Sequence, residues 1–149
     1  MTREILFKAK RKNWRELPKE EWWVEGYYCK WEQIRRPLCV VEEKEVDCII
    51  TWMSDGGMSR YEIDPETLCQ YIGLKDKNGQ KIWENDICEI HSSNIDEEDG
   101  YFTTAWDKDE AKYVLDGDTL IVDFDNIYGY ECEVIGNVFD NPELLGGAE

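Results

Sequence analysis

Carboxylates dominate the side chains of this chain that could do chemistry. Asp and Glu number 34, against 17 Lys and Arg and one histidine, His91. Two carboxylates in different environments can divide the roles of general acid and general base. The sequence has no glycine-rich phosphate loop, no G-x-S-x-G and no Cys and His pairing with a catalytic signature. We therefore predict no catalytic residues and a protein that is not an enzyme.

The cysteines predict no metal site. No two of the six stand in a C-x-x-C spacing, and zinc sites need closely spaced pairs of Cys or His to fix a tetrahedron. Several lie in predicted strands, where we interpret them as small buried apolar groups in a reducing compartment, with disulfides or a metal as the alternatives. We expect no cofactor. The cysteines are Cys29, Cys39, Cys48, Cys69, Cys88 and Cys132.

A basic segment near the N terminus could contact nucleic acid. Five of the eight residues from Lys8 to Arg15 are basic. Basic side chains can bind phosphates, and a neighbouring tryptophan can stack on a base. The same charges could instead pair with the chain's own carboxylates or with a partner subunit. The residues predicted for nucleic-acid contact are Lys8, Lys10, Arg11, Lys12 and Trp14.

The net charge of -17 is unevenly distributed along the chain. Residues 1–36 hold ten Lys or Arg and six Asp or Glu, a net of +4, and the remainder holds seven and twenty-eight, a net of -21. Such an acidic surface repels nucleic-acid phosphates and membrane surfaces before any contact forms. It favours a basic protein partner, loosely held divalent cations or simple solubility. The acidic run at residues 96–99 does not match the register of an EF-hand, so we interpret it as a solvated loop.

Short strands separated by turn residues must position these side chains. About ten such strands recur at spacings near ten residues, and no stretch has sustained helical periodicity, which predicts an all-β protein. Two of them, Leu38 to Val41 and Val46 to Trp52, flank a predicted polar connection at Glu42 to Glu45. No apolar run approaches the roughly 20 residues needed to cross a membrane, and no signal-peptide pattern follows Met1, so a soluble, unexported protein is expected.

The clearest local signals lie between Ile63 and Ile90. Asp64 before Pro65 is typical of a helix start, because the Asp side chain can accept from unpaired backbone N–H groups and Pro loses no useful donor at the first helical position. Further along, Asn78-Gly79 separates two β-prone runs and supplies the positive φ angles of a tight hairpin. These residues have structural explanations as cap and turn positions.

A recognisable motif runs through this stretch and returns near the end of the chain. Its residues are Asp64, Pro65, Gln70, Tyr71, Gly73, Leu74, Asp76, Asn78, Gly79, Glu84 and Asp86, with Gly136, Asn137 and Pro142 near the end. These residues resemble the YopX family of phage and prophage proteins, and pieces near both ends of the chain are similar to this family in the expected order. The chain departs from the family in an apparent insert at Arg15 to Glu21, and in Asn85, which precedes Asp86 where the family usually has Gly.

The resemblance implies a separate N-terminal β-subdomain and a small SH3-like barrel from about Gln70 to Phe139. We place the boundary between residues 1–63 and residues 64–149, with Ser54 to Met58 as the alternative, and expect only one or two short helical turns. It also implies a tendency to form homo-oligomers, which suits a chain with seven Trp and eight Tyr. We expect a phage or prophage accessory protein of unknown activity in the cytoplasm of a bacterial host. It would bind a host or phage protein through its acidic surface, which could imitate nucleic acid. The alternative is nucleic-acid binding through the basic segment.

Overall fold

In a computed structural model, the backbone is described at residues 4–35, 42–90, 100–117, 121–124 and 132–146, and the side chains of 31–35 and 42–44 fall outside the description. The predicted strand at Leu38 to Val41 and the predicted solvated loop at residues 96–99 lie outside the described residues. The all-β prediction is confirmed: the described residues form eleven strands and four short 3-10 turns, more turns than the one or two predicted. No helix among them is long and apolar enough to cross a membrane.

Contacts divide the chain into an N-terminal unit, Thr2–Gln70, and a C-terminal unit, Tyr71–Glu149. The division falls inside β5, Cys69–Lys75, one 3-10 turn after the boundary expected between Ile63 and Asp64.

The N-terminal unit is an antiparallel sheet in the order β4-β3-β2-β1, with the start of β5 pairing β1 through Phe7 and Gln70. Its strands follow the predicted aromatic and β-branched runs, because such side chains fit a pleated, half-buried surface. The elements are β1 (Phe7–Lys10), the 3-10 turns η1 (Trp14–Glu16) and η2 (Lys19–Glu21), β2 (Trp23–Arg35), β3 (Glu42–Trp52), β4 (Met58–Glu62) and the 3-10 turn η3 (Pro65–Thr67).

The predicted polar connection at Glu42 to Glu45 is wrong. These four residues begin β3 and pair in register with the last four residues of β2, from Glu45 opposite Glu32 to Glu42 opposite Arg35. Glu and Lys are poor strand formers by themselves. The β2-β3 ladder already pairs Cys29 with Cys48 next to this segment. Extending the ladder gives further backbone N–H and C=O groups hydrogen-bond partners, and this outweighs the weak strand preference of Glu and Lys.

One face of the N-terminal sheet carries the unit's core. Ala9, Val24, Ile49 and Ile63 are buried together, with Phe7, Tyr28, Tyr61 and Leu68 packed against them. The sheet is tightest at Gly26, where an added Cβ would lie 2.1 Å from the backbone oxygen of Ile50. Only glycine fits this position without moving a strand.

The C-terminal unit contains the rest of β5, paired with β6, and a second antiparallel sheet in the order β10-β9-β8-β7-β11. Its core joins Ile72 and Ile82 of the β5-β6 hairpin to Cys88, Leu115 and Cys132 of the second sheet. The remaining elements are β6 (Lys81–Trp83), β7 (Asp86–Ile90), β8 (Gly100–Asp107), β9 (Lys112–Asp116), β10 (Ile121–Asp123), β11 (Cys132–Asn137) and the 3-10 turn η4 (Pro142–Leu145).

The five-stranded sheet has two edges in the part of the chain that the structure describes. Its outer strands, β10 and β11, each pair with one neighbour, β9 and β7 respectively. The described strands therefore form no closed barrel, and the SH3-like closure stays a prediction.

Candidate functional site

The predicted nucleic-acid residues lie among aromatic rings of the N-terminal unit. Lys10 is only 2% exposed, and its Nζ lies 3.9 Å from the ring centroid of Trp14 and 4.5 Å from that of Trp22. The two indoles meet edge to face, with centroids 4.8 Å apart. A buried ammonium against two indole faces gains cation–π attraction, which offsets part of the cost of its desolvation.

Other cations of this segment are also engaged within the unit. The Nζ of Lys8 lies 4.8 Å from the ring of Trp23, and the guanidinium of Arg15 lies 4.3 Å from the ring of Trp14. A tryptophan whose face already contacts an internal cation presents less ring surface to a nucleic-acid base. These internal contacts are with aromatic rings, whereas the alternative stated from the sequence was pairing with the chain's own carboxylates or with a partner subunit.

Arg11 and Lys12 line an open cleft of about 620 Å³, which Arg60 of β4 also lines. The Arg11 guanidinium lies 4.5 Å from the Tyr61 ring, and its buried Nε has no hydrogen-bond partner among the described residues. Lys12 forms an exposed ion pair with Glu62 at 3.4 Å. Three cationic side chains and two carboxylates therefore line the cleft: Arg11, Lys12, Arg60, Glu16 and Glu62.

The first half of the family-like motif forms caps and strands. Asp64 caps η3 by accepting from the backbone N–H of Glu66 at 3.2 Å, and Pro65 begins the turn, which confirms the predicted helix start. Tyr71 is buried against Trp83, with ring centroids 5.5 Å apart. Gly73, at φ 95°, lies where the β5-β6 register shifts. Gln70 pairs with Phe7, and Leu74 is exposed.

Asp76 organises the predicted hairpin. Its Oδ1 accepts from the backbone N–H groups of Asn78 and Gln80, each at 2.9 Å, and its Oδ2 accepts from that of Val134 on β11, also at 2.9 Å. The hairpin is confirmed, but only Gly79 has a positive φ, 78°, and Asn78 does not. The carboxylate stabilises a wider turn than the two-residue one expected, because it satisfies the amides that such a turn leaves unpaired.

The second half of the motif completes two further turns. Asp86 is 2% exposed, and its Oδ2 accepts from the backbone N–H of Trp83 at 2.9 Å, across a turn that contains Glu84. Asn85 lies in the left-handed region at φ 67°, where glycine is the usual residue. Asn tolerates this region better than most residues, so the backbone geometry accommodates the Asn that stands before Asp86.

The closing part of the motif is a bulge followed by a turn. The β7-β11 register shifts between Val134 and Gly136, and an added Cβ at Gly136 would lie 2.4 Å from Oδ1 of Asn141. Asn137 Oδ1 accepts from the backbone N–H groups of Phe139 and Asp140, and Pro142 begins η4. These residues stabilise the turn that follows β11.

The acidity of the chain is concentrated in the C-terminal unit. Residues 2–70 hold twelve Lys or Arg and fourteen Asp or Glu, a net charge of -2, whereas residues 71–149 hold five and twenty, a net of -15. The described cations of this unit are partly neutralised locally: Lys112 contacts Glu110 at 2.6 Å and Asp123 at 2.9 Å, and these hydrogen bonds raise its pKa.

A cleft of about 670 Å³ opens on the outer face of the second sheet. Thr103 and Asp116 are directly opposite each other on β8 and β9 and contribute one side. Val138 and the C-terminal turn contribute an apolar side. No hydrogen bond or ion pair joins the Asp116 carboxylate to another described side chain. The lining residues are Tyr101, Thr103, Asp116, Gly117, Val138, Leu144, Leu145 and Gly146.

The described cysteines are free thiols, and all but the half-buried Cys29 are buried. Burial raises the pKa of Cys48, and a hydrogen bond with Cys132 together with burial raises that of Cys88. Raised pKa values keep both thiols protonated at neutral pH, which lowers their reactivity. In the described ranges, no group of three or more His, Cys, Asp or Glu side chains has the geometry of a metal site.

A family model described as YopX protein matches residues 14–146. The chain belongs to the YopX family. The match spans both units and confirms the resemblance stated from the motif residues. The curated proteins contain no match to this YopX-family chain.

Among solved structures, this YopX-family protein is similar to the crystal structure of protein EF1440 from Enterococcus faecalis. The TM-score is 0.52 and the sequence identity 22%, over 97% of this chain and 99% of that chain. At this identity, the likeness shows a shared fold.

Sequence reasoning did not identify the residues of the acidic cleft. The alternation along β8 and β9 is the signal that could have found them, because Tyr101 and Thr103 project from the same face as Asp116 once the strands pair. The pairing itself and the return of the chain to this face at Leu144 were not visible in the sequence.

Proposed function

We propose that this YopX-family protein is a non-enzymatic binding module that recognises a basic protein through its acidic C-terminal unit. One observation carries the proposal: the two units differ in net charge, -2 against -15, although they are similar in length. Acidity needed only for solubility has no reason to be confined to one unit. Acidity used for recognition has to be concentrated where the partner binds.

A charge of this density mainly raises the rate at which the protein and its partner associate. A basic partner is attracted over about 8 to 10 Å at moderate salt, the distance over which exposed charges remain unscreened. Complementary potentials raise the association rate and exclude acidic competitors more than they raise affinity. An acidic surface can also occupy the nucleic-acid site of such a partner, and mimicry of this kind is part of the proposal.

The decisive experiment compares two variants with the same change in net charge. One neutralises three exposed carboxylates of the C-terminal unit, Asp109→Asn, Asp116→Asn and Glu143→Gln, and the other neutralises three of the N-terminal unit, Glu20→Gln, Glu25→Gln and Glu66→Gln. Immobilised full-length proteins are exposed to bacterial host lysate at low and moderate salt. We expect a discrete basic protein to be retained by the wild type and the N-terminal variant and lost from the C-terminal variant. Equal loss from both variants, or no protein retained by the wild type, would contradict the proposal.

A second candidate function is nucleic-acid contact through the basic segment of the N-terminal unit. It is favoured by the cleft that brings Arg11, Lys12 and Arg60 together, with an Arg11 Nε that has no described partner. The test is a gel shift with single- and double-stranded DNA and RNA at low salt, comparing the wild type with Lys12→Ala. A complex that weakens in the variant supports this function, and the absence of any complex rejects it.

We further propose the setting that the family suggests: a phage- or prophage-encoded accessory protein acting in the cytoplasm of a bacterial host. Exposed aromatic and apolar side chains on the N-terminal unit, Tyr27, Trp52 and Met58, support self-association into a homo-oligomer, because such residues are enriched at interfaces. The packing of the β5-β6 hairpin with the second sheet in one core supports an SH3-like arrangement. Light scattering at two protein concentrations tests the oligomer.

A further inference from the structure

We propose that the cleft on the outer face of the second sheet binds an arginine side chain of the basic partner. The inference rests on the proposed function and adds to it one specific contact, between this cleft and an arginine of the partner. The cleft is lined by one carboxylate, an exposed phenol ring and apolar side chains, which suit the charge, the plane and the methylene stem of an arginine side chain.

Asp116 supplies the charge. It ends β9 opposite Thr103, is exposed, and has no described ion pair. Three other carboxylates of the unit already have a cation beside them, since Asp123 and Glu110 contact Lys112 and Glu133 contacts Lys77 at 3.2 Å. A guanidinium can donate two parallel hydrogen bonds to one carboxylate, and the Thr103 hydroxyl offers a further acceptor at the same register position.

Tyr101 and the C-terminal turn supply the rest of the fit. Tyr101 is 48% exposed, so one face of its ring can stack on a planar cation. Val138, Leu144 and Leu145 also line the cleft, and the methylene stem of a long basic side chain can pack on them. A cleft of about 670 Å³ accommodates one such side chain together with neighbouring peptide backbone.

These features favour arginine over lysine. The guanidinium is planar, weakly hydrated and forked, so it can stack on Tyr101 while donating to Asp116, whereas an ammonium is a strongly hydrated point charge. A cleft with an apolar wall strips water from the ligand, and that costs less for the guanidinium.

The test measures binding of two labelled peptides to the full-length protein by fluorescence anisotropy. One peptide alternates Arg with Gly, and the other replaces every Arg by Lys. The key variant is Asp116→Asn, and the matched control is Asp109→Asn, which removes one exposed carboxylate of the same unit outside the cleft. We expect Asp116→Asn to raise the dissociation constant for the Arg peptide about tenfold, and Asp109→Asn to raise it less than about twofold. Only the first substitution removes a charge-assisted bidentate contact. The Lys peptide should bind the wild type about tenfold more weakly.

The outcomes separate this inference from the proposed function. If the two Asn variants weaken Arg-peptide binding equally, the cleft is not the binding site, and recognition by the acidic unit as a whole is left standing. Equal binding of the Arg and Lys peptides overturns the choice of arginine. Failure of the wild type to bind either peptide contradicts both. Should Asp116→Asn not fold, the wild type is titrated with the Arg peptide and the backbone amide NMR chemical shifts of Tyr101 and Thr103 are followed. Shifts that change support the site, and shifts that stay unchanged at a saturating peptide concentration overturn it.

Discussion

Removal of the Asp76 carboxylate should destabilise the C-terminal unit more than any other single carboxylate substitution described above. Asp76 is 6% exposed and accepts three backbone N–H groups, two within its own turn and one from Val134 of β11. It therefore connects the β5-β6 hairpin to a strand 58 residues away.

The magnitude follows from the three hydrogen bonds. Hydrogen bonds to a charged acceptor contribute roughly 1.5 to 3 kcal/mol each, and water reaches the two turn amides once the side chain is gone. We count each of those two bonds at about half of this value and keep the full value for Val134, which gives about 3 to 6 kcal/mol for Asp76→Ala. Asp76→Asn keeps one accepting oxygen and points an amide donor at another donor, so about 2 to 3 kcal/mol is expected. Domain stabilities are only about 5 to 15 kcal/mol, so either loss is large.

The assay combines urea unfolding with hydrogen exchange measured by mass spectrometry. Exchange in peptides from residues 71–90 and 132–146 reports on the C-terminal unit, and exchange in residues 7–30 reports on the N-terminal unit. The control is Asp55→Ala, which removes an exposed carboxylate that accepts one turn N–H, from Gly57 at 2.8 Å, and should change the free energy of unfolding by less than about 0.5 kcal/mol. A loss below about 1 kcal/mol for Asp76→Ala, or equal deprotection of both units, would refute the reasoning.

Three further predictions concern single residues. A hydrogen bond to Asp47 at 2.5 Å, with burial and the charge of Asp47, raises the pKa of Tyr28 to about 12. Because the folded-state pKa is raised above the unfolded value of about 10, the stabilisation is complete below pH 10 and lost as the pH rises through 12. Absorbance titration should show one late tyrosinate that Tyr28→Phe abolishes; an unchanged curve contradicts this. Gly26→Ala should unfold the N-terminal unit or weaken it by several kcal/mol in urea melts, because the new Cβ meets the Ile50 oxygen; wild-type stability would show that the strands can separate. Asn85→Gly should be more stable than Asn85→Ala by about 1 kcal/mol, since both lose the side chain and only Ala is strained at φ 67°; the reverse order would point to a different backbone conformation.

Local chemistry made parts of the fold predictable. Asp64-Pro65 and Asn78-Gly79 each act within a few residues, through a cap and a positive φ, so their roles could be inferred before any tertiary contact was known. Strand positions followed from aromatic and β-branched runs for the same reason. The polar start of β3 was missed because its pairing with β2, not its composition, decides its structure.

The contacts that carry the candidate sites depend on long-range pairing and were not predictable. Asp76 has a turn role that its neighbours reveal, but its bond to Val134 requires β11 to lie beside the hairpin. Lys10 was predicted to contact nucleic acid, yet it is buried, with its ammonium against the rings of Trp14 and Trp22. In both cases the residue type was noticed and the partner was not.

The placement of charge links the fold to the proposed function. In the N-terminal unit, cations are engaged by the unit's own rings and carboxylates, as Lys10 is by Trp14 and Lys12 by Glu62, and the net charge is near neutral. In the C-terminal unit, carboxylates outnumber cations four to one, twenty against five, so most of them cannot be neutralised within the unit. Asp76 and Asp86 use their charge to satisfy backbone amides, and that use is structural. Asp116 has no such internal use among the described residues, and its position in a cleft with an apolar wall makes it the carboxylate best placed to receive a cation from outside the chain.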